Sequence, residues 1–241
     1  MAPSDIGGGA DRLGMLVAAC GAGSSAPAIV ADSGRPASAG QVAERALPVV
    51  PSQPPGVAIW APWPAALHDA RHSGSSTGDG PTSGTVRWRR NLEAAATSGP
   101  VIGPDGTMYA ASSGGVLHAL DAATGDDRWT FDGHRSGFED LSTSPLVLPN
   151  GTVLWGGAGR TLYALSGAGA LLWQAELPGQ PTSPASADGR RVYVGDSSGA
   201  LSAFDVSPDG HRLVWTVAVG KTSFGSAAAD GAGRIYTYIP I

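Results

Sequence analysis

From residue 99 onward the apolar residues come in short runs bounded by turn pairs. Thr107-Met108-Tyr109-Ala110, Thr152-Val153-Leu154-Trp155, Arg191-Val192-Tyr193-Val194 and Arg234-Ile235-Tyr236-Thr237 are β-rich runs. Each follows a turn pair: Asp105-Gly106, Asn150-Gly151, Asp188-Gly189 or Asp230-Gly231. Such pairs tolerate positive φ and close tight hairpins. A small residue or proline opens each repeat, at Gly99-Pro100, Ser144-Pro145, Ser183-Pro184 and Ser226-Ala227. A second glycine turn follows at Ser113-Gly114-Gly115, Gly157-Ala158-Gly159 and Ser198-Gly199. Alternating strands come next: Leu117-His118-Ala119-Leu120, Leu162-Tyr163-Ala164-Leu165 and Leu201-Ser202-Ala203-Phe204. No helical period of apolar residues occurs in this region. Each repeat predicts four strands joined by three turns, one antiparallel blade.

Tryptophans mark the repeat. Trp88, Trp129, Trp173 and Trp215 stand 41, 44 and 42 residues apart, the spacing of four-stranded blades stacked around an axis. The predicted fold is all-β, a partial β-propeller of about three and a half four-stranded blades. The fourth repeat reaches Ile241 just after its Asp-Gly hairpin and one strand, so the sequence is expected to be a fragment of a longer ring.

The segment Ala119-Leu120-Asp121-Ala122-Ala123-Thr124-Gly125-Asp126-Asp127-Arg128-Trp129 resembles the tryptophan-docking motif of pyrroloquinoline-quinone-like propellers, Ala-x-Asp-x-x-Thr-Gly, three variable residues, then Trp. In that motif Asp121 and Thr124 would close a turn by side-chain hydrogen bonds, Gly125 would take the left-handed position, and Trp129 would pack between blades. Ala164 to Trp173 is a shorter copy with Ser166 in the aspartate place, and Ala203-Phe204-Asp205 to Trp215 a longer one. Upstream, Trp63-Pro64, His68-Asp69 and Arg71-His72-Ser73-Gly74 resemble the lead-in segment of the same proteins. The resemblance covers residues 60–241.

The resemblance carries two implications for function. Enzymes of this kind hold the quinone and a calcium ion in the central channel, many with a vicinal disulfide against the cofactor and a catalytic aspartate. This chain has one cysteine, and Asp121 and Asp205 fall in docking motifs, so no cofactor, metal ligand or catalytic residue is assigned. Non-catalytic relatives present loops to protein or peptide partners. That binding role is the expected one. The alternative is the N-terminal part of a quinone-dependent dehydrogenase, to which the quinone and calcium would belong.

The N-terminal region reads differently. Residues 12–20, Arg-Leu-Gly-Met-Leu-Val-Ala-Ala-Cys, resemble the end of a bacterial lipoprotein signal peptide, with Val17, Ala18 and Ala19 before a lipidated Cys20. Residues 1–20 are therefore expected to be a signal peptide and 21–59, rich in Ala, Ser, Pro and Gly, a flexible tether. The protein would sit outside the cytoplasm, held to a membrane through Cys20.

Composition changes the picture little. The 36 glycines and 19 prolines suit a turn-rich fold. A net charge of −5 with scattered basic residues gives no footprint for nucleic acid. Three further features have structural explanations close at hand. His68 and His72 have chelate spacing only if helical, and their Ser, Gly and Pro neighbours argue against a helix. Phe138, Glu139 and Asp140, near His134 and Arg135, form an acidic–aromatic loop insertion. Asn150-Gly151-Thr152 fits a glycosylation sequon, and its place in the repeat is a hairpin turn.

Overall fold

The structure, a computed structural model, describes residues 61–75, 84–92, 94–96, 98–133, 143–186, 188–220, 226–230 and 233–237. Two sheets have four antiparallel strands. The first is β1 (Val101–Ile102), β2 (Thr107–Ala111), β3 (Val116–Asp121) and β4 (Asp127–Asp132), in that spatial order. The second repeats it with β5 (Leu146–Val147), β6 (Val153–Gly156), β7 (Thr161–Leu165) and β8 (Leu171–Glu176). The order follows from the turns. Gly106 and Gly151 take φ of +78° and +81° in the first hairpins, where an L side chain would be strained. Asp105 and Asn150 accept the backbone N–H two residues on, each at 3.0 Å.

The third blade departs from the four-strand expectation. Its sheet contains β9 (Arg191–Gly195), β10 (Ala200–Ser207) and β11 (Gly210–Ala218). The inner strand is reduced to two isolated bridges, Pro181 with Asp196 and Ala185 with Tyr193. Pro181 and Pro184 have no N–H to give to the ladder, so pairing is interrupted there. The fourth blade shows β12 (Ala228–Ala229) paired with β13 (Ile235–Tyr236). Its positive-φ glycine is Gly233, two positions beyond the Asp230-Gly231 pair, and Gly231 lies outside the described residues.

The blades stack face to face. A middle blade has a neighbour on both faces, so β6 and β7 are buried at every position, whereas outer strand β8 alternates. Val101, Tyr109, Leu117, Val147, Val153, Trp155 and Leu165 fill the space between the first two blades. Leu146, Leu154, Leu162, Trp173, Val192, Val194 and Phe204 fill the next. Leu201, Ala227, Ala229 and Ile235 fill the third, with Tyr193, Trp215 and Val217 against them. Each fully buried Leu or Val contributes about 1.5–3 kcal/mol.

One irregularity recurs. The third and fourth strands slip register between Ala119 and Leu120, between Ala164 and Leu165, and between Ala203 and Phe204. Trp129, Trp173 and Trp215 each face the alanine just before the slip. A bulge adds a residue to one strand and re-aims its side chains. Here it swings each indole toward the next blade.

Candidate interaction site

The indoles dock forward. Trp88 Nε1 donates to the Ala122 carbonyl at 3.0 Å, and Trp129 Nε1 to the Gly167 carbonyl at 2.9 Å. In both cases the acceptor lies in the turn between third and fourth strands of the following blade. Asp121 builds the first of these turns: its Oδ1 accepts from Ala123 N at 2.8 Å and Thr124 N at 3.2 Å. Thr124 Oγ1 accepts from Asp126 N at 3.3 Å. Gly125, at φ +79°, lies flat under Trp88, and a Cβ there would stand 2.6 Å from the ring. Gly169, at φ +85°, lies under Trp129 in the same way, with a contact of 2.7 Å. The turn of each blade thus serves the tryptophan of the blade before it.

The third turn is longer, and its chemistry changes. Trp173 Nε1 donates to the Ser207 carbonyl at 2.9 Å. Among the described residues no glycine lies under this indole; His211 does, with ring centroids 4.6 Å apart. Trp215 differs again. It packs 6.0 Å from Tyr193, as Trp129 packs 5.7 Å from Tyr109, but among the described residues its N–H has no acceptor.

Ion pairs tie the turn ends of three blades. Arg128 bridges Asp121 at 3.0 Å and Asp105 at 3.4 Å. The Arg128 guanidinium holds the Asp121 carboxyl below the usual carboxylate range. Asp105 is also lowered; burial pushes it up, but bonds from Thr107 and the charge of Arg128 outweigh that. Arg191 and then Arg212 lower Asp205, and Arg234 pairs with Asp230. In blade 2 the corresponding residues, Asn150 and Ser166, are neutral.

The lead-in segment makes a circuit around the inner ends of the blades. Trp63 pairs with Ile102 of β1, and its carbonyl accepts Ile102 N at 2.7 Å. Pro64 O accepts Val147 N of β5 at 2.8 Å, and Ala70 O accepts Ala229 N of β12 at 2.6 Å. Trp63, Ala65 and Ala70 reach the first, second and third inter-blade cores in turn. β1 and β5 lie side by side, as inner strands converging on an axis do.

Leu67, His68 and His72 have φ of +53°, +85° and +56°, so the segment is a knot of tight turns with no helical chelate. Asp69 fastens the knot: buried to 2% exposure, its Oδ1 accepts from Arg71 N at 2.9 Å and Ser73 N at 3.1 Å. His68 is buried, edge-on to Trp63 at 4.9 Å between centroids. Burial lowers the His72 imidazole below its ordinary value, against a smaller pull upward from Asp69. Leu67 is exposed at the tip.

Residues 79–228 match the PQQ_2 family, described as outer membrane protein assembly factor BamB. The chain belongs to that family. It is a PQQ-like β-propeller repeat protein. The matched span takes in every docked tryptophan and stops short of the lead-in knot, which begins the chain's circuit before residue 79. A curated relative, the quinohemoprotein alcohol dehydrogenase of Comamonas testosteroni, is 28% identical over 156 residues, 63% of this chain and 16% of that protein. The chain therefore spans about one sixth of the length of that relative. BamB from Moraxella catarrhalis is 29% identical, with a TM-score of 0.46, over 57% of this chain and 41% of that one. The β-propeller domain of Myceliophteria thermophila Cps50 (Swd1) aligns at 18% identity and a TM-score of 0.43, over 59% of this chain and 52% of that one.

Cys20, the 1–20 and 21–59 segments, and the His134, Arg135, Phe138, Glu139 and Asp140 loop lie outside the described residues. The described residues gather no group of three or more His, Cys, Asp or Glu side chains that could hold a metal ion. Three residues of structural weight escaped sequence reasoning. Gly169 and His211 were hidden because the second and third turns differ in length from the first. Asp196 is wholly buried in the turn before β10, with one oxygen accepting from Ser198 and Ala200 and the other unpartnered. Its counterparts Ser112 and Gly157 give no hint of an acid there.

Proposed function

We propose that this propeller is an extracytoplasmic, non-catalytic scaffold that presents its loops to a protein or peptide partner. The observation that carries the reading is the lead-in segment. It runs along the inner ends of the blades, where quinone enzymes of the family keep their cofactor, and is tied to β1, β5 and β12 by backbone hydrogen bonds. A cofactor there would have to displace a segment whose buried Asp69 accepts two local backbone N–H groups on Oδ1 and faces Arg71 with Oδ2. The family description, an outer membrane assembly factor, supports a place in the cell envelope. Lipidation of Cys20 would hold the protein there, and Cys20→Ser should then release it from the membrane fraction.

The second reading, part of a quinone-dependent dehydrogenase, draws on the likeness to the Comamonas testosteroni enzyme. One experiment separates the two. Purified chain is titrated with pyrroloquinoline quinone and calcium, then given alcohols and sugars with an electron-accepting dye. The scaffold reading expects neither saturable quinone binding nor dye reduction above a heat-denatured control. Saturable binding with turnover would put the dehydrogenase first.

A further inference from the structure

We propose that Asn150 is a spontaneous deamidation site, held shut by its own hairpin and by the hairpin of the third blade that leans on it. The chain has two asparagines, Asn91 and Asn150, and only the second precedes glycine. Before glycine the next backbone nitrogen reaches the side-chain amide most easily, because no Cβ stands in the way. Asn150 is exposed, and a Cβ on Gly151 would meet nothing within 4 Å, so water has access to the amide.

The reaction needs only water. Gly151 N loses its proton to water and bonds Asn150 Cγ, and the side-chain nitrogen leaves as ammonia. Water then opens the five-membered imide. Breaking the new N–Cγ bond leaves an ordinary aspartate. Breaking the original peptide N–C bond leaves isoaspartate, with the main chain rerouted through the side chain.

The folded hairpin opposes ring closure. Gly151 N donates to Leu148 O at 2.9 Å, and Leu148 N to Thr152 O at 2.8 Å. Asn150 Oδ1 accepts Thr152 N at 3.0 Å. Closing the ring turns the Cα–C bond of Asn150 and takes Gly151 N away from Leu148, so the hairpin must open first. The third blade holds it closed. Gly189, at φ +71°, lies against Pro149, and a Cβ there would stand 2.5 Å from Pro149 Cδ. The gate therefore belongs to the seam between blades 2 and 3.

The product has a precedent in the first blade. Pro104-Asp105-Gly106-Thr107 repeats Pro149-Asn150-Gly151-Thr152 with the acid already in place. There Gly106 N donates to Gly103 O at 3.0 Å, Asp105 Oδ1 accepts Thr107 N at 3.0 Å, and Asp105 Oδ2 accepts Thr107 Oγ1 at 2.6 Å. Aspartate at position 150 finds the same donors in Thr152. Isoaspartate lengthens the backbone of the turn and cannot keep both hairpin bonds. Deamidation thus gives the second blade the kind of acidic turn that Asp105 makes in the first, with the hairpin intact. The inference goes beyond the scaffold reading and does not depend on it.

The test holds the full chain at mildly alkaline pH, in native buffer and in urea. The peptide containing Asn150 is followed by mass spectrometry, with aspartate and isoaspartate separated by chromatography. In urea Asn150 should convert readily to both. In native buffer it should convert at least about tenfold more slowly, as a step gated by local opening must. Gly189→Ala reaches the Asn150 hairpin through Pro149. It should speed the native reaction several-fold and leave the rate in urea unchanged. Gly125→Ala, a similar intrusion in the first blade, should do neither. If Gly189→Ala does not fold, Pro149→Gly removes the same contact from the other side and should act alike. Asn150→Asp, the product, should melt with the parent.

Equal rates in native buffer and urea overturn the gate, and an Asn150 that stays intact in urea overturns the site. A Gly189→Ala chain no faster than the Gly125→Ala chain overturns the role of the third blade. An Asn150→Asp chain that melts well below the parent overturns the fit of the product.

Discussion

The first and third blade boundaries are built from the same parts and end differently. At the first, Tyr109 and Trp129 sit 5.7 Å apart, and the indole is capped by the Gly167 carbonyl and by Gly169. At the third, Tyr193 and Trp215 sit 6.0 Å apart, and among the described residues the indole has no such cap. The pair of rings is therefore made within a blade, while the cap comes from the next one. Packing between blades is a two-sided contract, and a tryptophan at the right register is only half of it.

The largest expected effect tests that asymmetry. Trp129 is partly buried, so Trp129→Ala should cost up to about 3–5 kcal/mol in chemical denaturation, the range for a fully buried large aromatic being its ceiling. Trp215→Ala should cost clearly less, because among the described residues its indole has neither hydrogen-bond acceptor nor glycine cap. Equal losses would break the comparison.

A smaller effect separates conformation from contact. Gly106 and Gly169 both have positive φ, but a Cβ on Gly106 meets nothing within 4 Å, whereas on Gly169 it would stand 2.7 Å from Trp129. Gly106→Ala should cost about 1–2 kcal/mol, the left-handed penalty alone. Gly169→Ala should add an overpacking cost of about 1–3 kcal/mol and loosen the Trp129 indole N–H in exchange. If the two variants lose the same stability, the cap contributes nothing.

The smallest effects lie in pH dependence and again divide the molecule. His72 has a lowered pKa, so the fold favours its neutral form. Its contribution is present above about pH 6.5 and fades as pH falls below that. Asp105, Asp121 and Asp205 are lowered too. They contribute stability above the carboxylate range and lose it as pH drops below about 4. Denaturation midpoints should show an early, shallow decline that His72→Gln removes. The acid decline should remain in that variant and depend on salt, since these pairs are exposed.

The repeating fold was legible because it rests on local chemistry. Asp-Gly and Asn-Gly pairs and alternation are visible within a single repeat, and the tryptophan spacing between neighbouring ones. The forward docking was not, since donor and acceptor lie 34 to 38 residues apart and both recur with the same period. Nothing local tells Trp129 that Gly169, and not Gly125, lies beneath it. The missing inner strand of blade 3 had a signal in Pro181 and Pro184, but serine and proline also open the second repeat, at Ser144-Pro145. The lead-in circuit had no periodic pattern, and its conformation depends on three positive-φ residues held by local turn bonds and by contacts with three blades. Asp196 was illegible because the matching positions of the other repeats, Ser112 and Gly157, carry no acid.

Forward docking also changes where the chain can be cut. A boundary drawn between blades, after each fourth strand, separates an indole from the turn that receives it and leaves two raw surfaces. A piece that starts ahead of Trp88 and stops beyond the Ser207–Gly210 hairpin keeps three tryptophans with their receiving turns. The building block that could be copied or recombined without exposing an indole is therefore offset from the visible blade. It begins on one blade's outermost strand and finishes in the following blade's last turn.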